Sequence, residues 1–139
     1  MTDTAPYDVV VAGAGNAALC AAINAHLHGA RVLVLGVAYK KDVGDMRESP
    51  ALDVINLLAN KGADISYHDP HVREFELGGT QYKNSDLSDA VLEGTDLVVV
   101  LTDHTDIDYQ RVVDLAPRVF DTRNATKAVQ NSREKIVKL

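Results

Sequence analysis

The succession of apolar and helical stretches predicts an α/β protein, a three-layer αβα sandwich built on a mostly parallel sheet. Three observations carry that expectation. Short runs such as DVVVA, RVLVL and DLVVVLT alternate with stretches of helical spacing, the pattern of buried parallel strands covered by helices on both faces. Glycine or a capping residue stands at most of the junctions, where a turn needs one. With 139 residues, 46% of them hydrophobic, the chain has the size of one domain over 1–139 and enough apolar surface for a core.

Taken in order, Asp8–Ala12 (DVVVA) predicts a buried strand, short, β-branched and closed by glycine. Leu19, Cys20, Ile23 and Leu27 recur at helical spacing, so a helix is expected over Asn16–His28, stopped by Gly29. Arg31–Tyr39 (RVLVLGVAY) predicts the second strand, and the charged turn KKDVGDMRE after it belongs at the surface. Ser49 is a good N-cap, and Pro50 suits a first helical turn, where its missing N–H costs nothing. That helix is expected to bury Leu52, Ile55 and Leu58 and to stop at Gly62. Asp64–His68 (DISYH) predicts the third strand, stopped by Asp69-Pro70, and a short edge strand is expected around Gln81–Lys83. Asp86–Glu93 predicts a short helix, Asp96–Thr102 a strand, Tyr109–Leu115 a helix and Arg118–Asp121 the last strand, with a polar helix or tail from Ala125 onward. The expected strand order is 4-3-2-1-5-6, which inserts Asp8–Ala12 beside Arg31–Tyr39 through a right-handed crossover.

The formal net charge is -6, from 20 acidic and 14 basic residues without a Lys/Arg block. Such a field repels polyanions, so nucleic acid is not an expected partner. A small anion is a different matter, since a few donors and a helix N-terminus suffice to hold it. Cys20 is the one cysteine, which excludes an internal disulfide and a Cys-based zinc cage and suits a reducing, cytoplasmic setting. The start, MTDTAPYD, has neither the basic region nor the apolar run of a leader. No stretch approaches the roughly 18 apolar residues of a membrane span, so no membrane partner is expected. Monomer and homodimer are equally compatible with these features.

Gly13-Ala14-Gly15-Asn16-Ala17-Ala18 stands between the first expected strand and helix, the setting in which G-x-G-x-x-G/A turns of Rossmann-like folds cradle a dinucleotide pyrophosphate. Gly13 permits the tight turn, Gly15 lets the backbone approach the phosphates, and Ala18 lets the helix lie close on the strand, its positive end toward the anion. These three are the cofactor-binding candidates. The stretch DVVVAGAGNAALCAA resembles the N-terminal FAD-binding strand and helix of flavoprotein dehydrogenases of the fumarate reductase and tricarballylate dehydrogenase type. That resemblance implies an acidic residue at the end of the next strand, on the adenosine ribose, whereas RVLVLG ends in Gly36. Without this partner the motif is read first as a structural turn. No cofactor is then required, and FAD or NAD is what the turn would take if it held one.

From Gly29 to about Asn124, four ordered blocks, VLGVAYKKDVGDMRESPAL, YHDPHV, DLVVVLTDH and VFDTRN, resemble the C-terminal, UDP-binding domain of UDP-glucose, UDP-N-acetylglucosamine and GDP-mannose dehydrogenases. Four blocks in order are more specific than any single short motif. The resemblance implies that Lys40, after the Ala-Tyr of the first block, and Arg123, in the D-x-R of the last, contact a nucleotide-sugar. Lysine supplies a point charge and arginine a planar fork for phosphate or hydroxyl oxygens. Both stand at C-terminal ends of expected strands, where open α/β sheets dock ligands, so Lys40 and Arg123 are the substrate-binding candidates. Asp42, Asp45, Arg47 and Glu48 are expected to form an ion-pair network that fixes the loop after the second strand and adds little stability.

The same resemblance implies oxidation of an alcohol to an acid through a cysteine thiohemiacetal and thioester, with the nucleophile in a G-G-x-C-type loop that these blocks do not include. Cys20 stands on an expected apolar helix stripe, where cysteine is an inert small hydrophobe, so no catalytic residue is assigned. His68, Asp69 and His71, or Asp103, His104 and Asp106, have residue types that bind metals but form no closed ligand set. Such residues at strand ends serve turns and hydrogen bonds, and no metal is expected. His26 and His28 flank an expected helix end, where histidine suits the dipole.

The resemblance changes between about Ala25 and Ala30, so the chain is expected to be an engineered or recombined chimera. A flavoprotein-like βα unit over about 1–28 would share one core with the dehydrogenase-like part over about 29–124, followed by a tail or helix over 125–139. The first function expected of it is a non-catalytic scaffold with weak nucleotide or UDP-sugar binding. A second reading is a module of an NAD-dependent UDP-sugar 6-dehydrogenase. It would not be an enzyme as an isolated chain, because the family's NAD domain and central helix supply the other wall of the cleft. A third is a mini-domain that binds FAD or NAD.

Overall fold

In the computed structural model, which describes residues 29–139, the chain runs through β1 (Arg31–Leu35), α1 (Pro50–Asn60), β2 (Asp64–His68), β3 (Glu74–Leu77), β4 (Thr80–Lys83), α2 (Asp89–Gly94), β5 (Leu97–Val100), α3 (Tyr109–Leu115), β6 (Val119–Asp121), a 3-10 turn (Arg133–Lys135) and β7 (Ile136–Lys138). Five strands form one sheet in the order β2-β1-β5-β6-β7, and every neighbouring pair is parallel. With helices packed on both faces, this is the Rossmann-like α/β sandwich that the alternating pattern predicts.

Strand alternation divides the core into two layers. Val32, Val34 and Val99 point to the face covered by α1 through Ala51, Ile55 and Leu58, and Tyr67 and Val72 complete that layer. Leu33, Leu35, Val98 and Val100 point to the other face, against Leu92 of α2 and Val112 and Val113 of α3. Burial of each such side chain stabilises the fold by about 1.5–3 kcal/mol. The N-terminus of α1 is set as its residues predict: the Ser49 hydroxyl accepts from the Ala51 N–H at 3.3 Å, and Pro50 occupies the first turn. The buried stripe is Ala51, Ile55 and Leu58, with Leu52 only partly covered.

Three expectations are corrected and one, the edge strand, is extended. The order 4-3-2-1-5-6 fails, because β1 pairs directly with β5 from Val32↔Leu97 to Leu35↔Val100 and with β2 on its other side; no strand is inserted between them. The second strand ends at Leu35 and not Tyr39. Gly36 turns the chain at φ +82°, and the N–H groups of Val37 and Ala38 go to the Asp69 carboxylate instead of a neighbouring strand. The expected edge strand is half of an antiparallel hairpin, β3–β4, turned by Gly78 and Gly79, both at positive φ as a two-residue type I′ connection requires. The expected polar helix from Ala125 is replaced by loop, a 3-10 turn and β7, which pairs parallel with β6. The expected strand Asp8–Ala12, the helix Asn16–His28, Gly13, Gly15, Ala18, Cys20, His26 and His28 lie outside the described residues.

Candidate functional site

The C-terminal ends of β1, β5 and β6 open into a cleft of about 450 Å³, closed on one side by the start of α1. It is lined by Ala38, Tyr39 and Lys40 after β1, Leu101 and Thr102 after β5, and Thr122 and Arg123 after β6. The start of α1 and Leu139 complete it. Its charged side chains are Lys40 and Arg123, so a chain of net charge -6 here presents two cations to one cleft. A larger hollow, about 610 Å³, lies against Arg73, Glu74, Lys83 and Asn84 on the hairpin. It brings together no candidate residue and lies away from the strand ends where such sheets bind ligands.

The limb carrying Lys40 is held from both ends. Beneath it, Asp69 is buried and its Oδ2 accepts from the N–H groups of Val37 at 2.8 Å and Ala38 at 3.1 Å. The same oxygen lies 2.8 Å from Nε2 of His104, a fully buried side chain. At the far end, the Asp42 N–H donates to His104 Nδ1 at 2.8 Å, which assigns the ring proton to Nε2. The Asp42 carboxylate accepts from the Thr105 hydroxyl and N–H at 2.5 and 2.7 Å, and these bonds hold it below the usual carboxylate range. Between the two anchors, Tyr39 and Lys40 are exposed to the cleft, Tyr39 at 49%. The expected loop network is therefore divided. Asp45 pairs with Arg47 at 2.8 Å, whereas Asp42 bonds across to the β5 exit and not to an arginine.

The limb carrying Arg123 is organised by Asp121, the last residue of β6. Its buried carboxylate accepts from the N–H groups of Arg123, Ala125 and Thr126 and from the Thr126 hydroxyl, at 2.6–3.1 Å. Burial pushes this carboxyl up, but the bonds from Thr126, Arg123 and Ala125 outweigh it and hold it below the ordinary range. The resulting tight turn places Asn124 at φ +57°, and Arg123 Nε lies 3.6 Å from Asp103 Oδ1.

The histidines fall elsewhere than sequence grouping expects. His68 Nδ1 lies 2.7 Å from the Ser85 carbonyl oxygen, and His71 Nε2 lies 3.8 Å from Asp106. Ligand atoms of Asp42, His71 and His104 come within 4.8 Å of one another, but both His104 ring nitrogens already serve Asp42 N–H and Asp69. The arrangement is a hydrogen-bonded clamp. Tyr39, Asp121 and Thr102 are site or support residues that the sequence did not single out, and Asp69, grouped there with metal-capable types, is a hydrogen-bond anchor. Their signal was position, each at or just after the C-terminal end of a strand.

Residues 33–128 match the family described as UDP-glucose/GDP-mannose dehydrogenase family, UDP binding domain. Over 102 residues the chain is 38% identical to a UDP-N-acetyl-D-mannosamine dehydrogenase of Methanococcus maripaludis, covering 68% of this chain and 22% of that protein. Among solved structures it is similar to a UDP-D-ManNAc dehydrogenase of Pyrococcus horikoshii, with a TM-score of 0.63, 25% identity, and 87% of this chain against 29% of that one covered. It is likewise similar to a UDP-N-acetyl-mannosamine dehydrogenase of S. aureus, with a TM-score of 0.59, 31% identity, and 85% against 27% covered. The match thus spans 22% to 29% of the length of these relatives. Among the described residues no helix is long and apolar enough to cross a membrane.

Proposed function

The chain belongs to the UDP-glucose/GDP-mannose dehydrogenase family, and from that premise we propose that it binds the uridine diphosphate part of a nucleotide-sugar in the cleft above β1, β5 and β6. It does so as one module of an NAD-dependent UDP-sugar dehydrogenase. The observation that carries this reading is that Lys40 and Arg123, far apart in sequence, are the charged side chains of one cleft. Such a pair, a point charge and a planar fork on one strand-end rim, suits a diphosphate. The dipole of α1 adds a favourable field, yet Pro50 has no N–H and the Ala51 N–H is taken by Ser49. The two side chains therefore carry the phosphate contact, and the exposed ring of Tyr39 offers a face on which a base can stack.

Family membership favours the dehydrogenase module over a free-standing scaffold. The chimeric origin and the FAD or NAD turn draw on residues 1–28, outside the described part, and the comparisons lend them no support. No described residue is assigned to NAD. Because the chain spans 22% of its M. maripaludis relative, oxidation of the sugar is proposed for the whole assembly and binding for this module.

Calorimetric titration of the full chain with UDP, a UDP-sugar, NAD and FAD tests this. UDP is expected to bind, and Lys40→Ala and Arg123→Ala are each expected to weaken it by about tenfold or more, the worth of a charge-assisted hydrogen bond. Equal UDP affinity in the parent and both variants would remove the site.

A further inference from the structure

Resting on that reading of the cleft, we propose that Asp103 is a positioning residue for Arg123. Its carboxylate faces Nε of the guanidinium and leaves the terminal N–H donors aimed at a diphosphate. The β5 exit is held by hydrogen bonds on both sides of Asp103. Thr102 is 3% exposed, and its hydroxyl donates to the Ala38 carbonyl oxygen at 2.7 Å. His104 is fully buried and bonded at both ring nitrogens. Asp103 is thus pinned by its two neighbours in sequence, which hold the Lys40 limb at the same time.

The second observation is what Asp103 faces. Its Oδ1 is buried and has no hydrogen-bond partner among the described residues, a costly state for a carboxylate oxygen unless a charge answers it. The cation opposite is Arg123 Nε, at 3.6 Å. That Arg123 side chain is 52% exposed, and a long, half-exposed arginine without a partner samples many rotamers. A fixed carboxylate at Nε narrows that set, and the outer fork stays free for a ligand. The Asp103 charge is felt locally: the Tyr109 hydroxyl is pushed far above its ordinary value, by burial first and by Asp103 next.

The sign of one substitution separates this role from plain electrostatics. An acid beside an anion site repels the ligand, so if charge alone mattered, Asp103→Asn would tighten UDP binding. Positioning predicts the reverse, a loss of about five- to tenfold, the scale of coupling between groups in contact. Asp106→Asn, at a side chain 69% exposed, serves as the charge control and is expected to leave affinity unchanged or slightly higher. In an Arg123→Ala background, Asp103→Asn is expected to lose its weakening effect, because that effect passes through Arg123. Titration of the full-length chain with UDP, with folding followed by circular dichroism, reads all four outcomes. Tighter binding by Asp103→Asn, or equal weakening with and without Arg123, overturns the proposal and leaves the cleft intact. A parent that does not bind UDP, or that binds it equally after Lys40→Ala and Arg123→Ala, removes the cleft reading and this inference with it. Should Asp103→Asn unfold the chain, the parent's Arg123 Nε–H resonance decides: solvent exchange as fast as that of free arginine overturns the pairing, and protection supports it.

Discussion

Asp121 shows how a single side chain sets the geometry of the turn that carries Arg123. Buried at the end of β6, it gathers three backbone N–H groups and a hydroxyl from the turn that carries Arg123. Asp121→Asn leaves one or more of these donors unsatisfied and is expected to cost roughly 3 kcal/mol. The pH dependence follows from the lowered carboxyl. A group whose folded value lies below its unfolded value of about 3.9 contributes fully above that value and loses its contribution as pH falls through the folded one. Urea midpoints of parent and variant are therefore expected to differ by a constant gap from pH 8 to about 5 and to converge below about pH 4. A gap that stays flat to the acid limit would show that the ionised form does not make these bonds. Lys40 and Arg123, which the structure brings to one cleft, stood out in the sequence because whole blocks around them resemble a family. Asp103, His104 and Asp69 read only as metal-capable types at strand ends. Their partners Arg123, Asp42 and Val37 lie far away in the chain, and residue type alone does not name a distant partner.

At the scale of elements, the close approach of the segments that leave β1 and β5, at Gly36 and Ala38 against Thr102, determines where the cleft opens. Gly36 sits at φ +82°, and a Cβ there would meet the Thr102 carbonyl oxygen at 2.4 Å and its nitrogen at 2.8 Å, both backbone atoms that cannot swing aside. Gly36→Ala thus combines left-handed strain with overpacking and is expected to cost about 2–5 kcal/mol. It should also weaken UDP binding by displacing the Thr102–Ala38 contact. Gly79→Ala separates the two effects. Its φ is nearly the same, +80°, but nothing lies within 4 Å of the added carbon, so it is expected to cost about 1 kcal/mol. Comparable thermal shifts for the two variants would show that close approach at Gly36 is unimportant. The elements that announced themselves did so through local pattern: VLVL and LVVV for buried strands, Ser49-Pro50 for a helix start. The hairpin was legible too, in Glu-Phe-Glu-Leu alternation before Gly78-Gly79, though only its second strand was read. β7 was not legible, since Ile-Val-Lys in a polar stretch becomes a strand through pairing with β6. Nor was the end of β1, which is decided by Asp69 capturing two N–H groups from outside the sheet.

For the molecule as a whole, the decisive feature is that one set of strands supplies both core layers. Val32 and Val34 of β1 face α1, while Leu33 and Leu35 of the same strand face α2 and α3. Alternation along the strand decides this, whereas single-strand patterns do not reveal which strands are neighbours, hence the failed expectation of an inserted first strand. Damage on one face must then propagate to the other, because β1 cannot keep Val34 packed while Leu33 is released. Ile55→Ala on the α1 face and Leu33→Ala on the opposite face are each expected to lower stability by about 2–5 kcal/mol. Each should also shift the same transition. Amide exchange offers the cleanest measurement, following Val32–Leu35 in β1 and Leu97–Val100 in β5 through a urea series. In both variants the amides of the two strands are expected to open at one shared midpoint, displaced equally from the parent. If Ile55→Ala loosens the α1 layer while β5 and the α2–α3 layer keep the parent's midpoint, the faces are independent foldons. The cleft, whose rim draws Lys40 from the segment after β1 and Arg123 from the segment after β6, would then rest on two separately failing supports instead of one cooperative sheet.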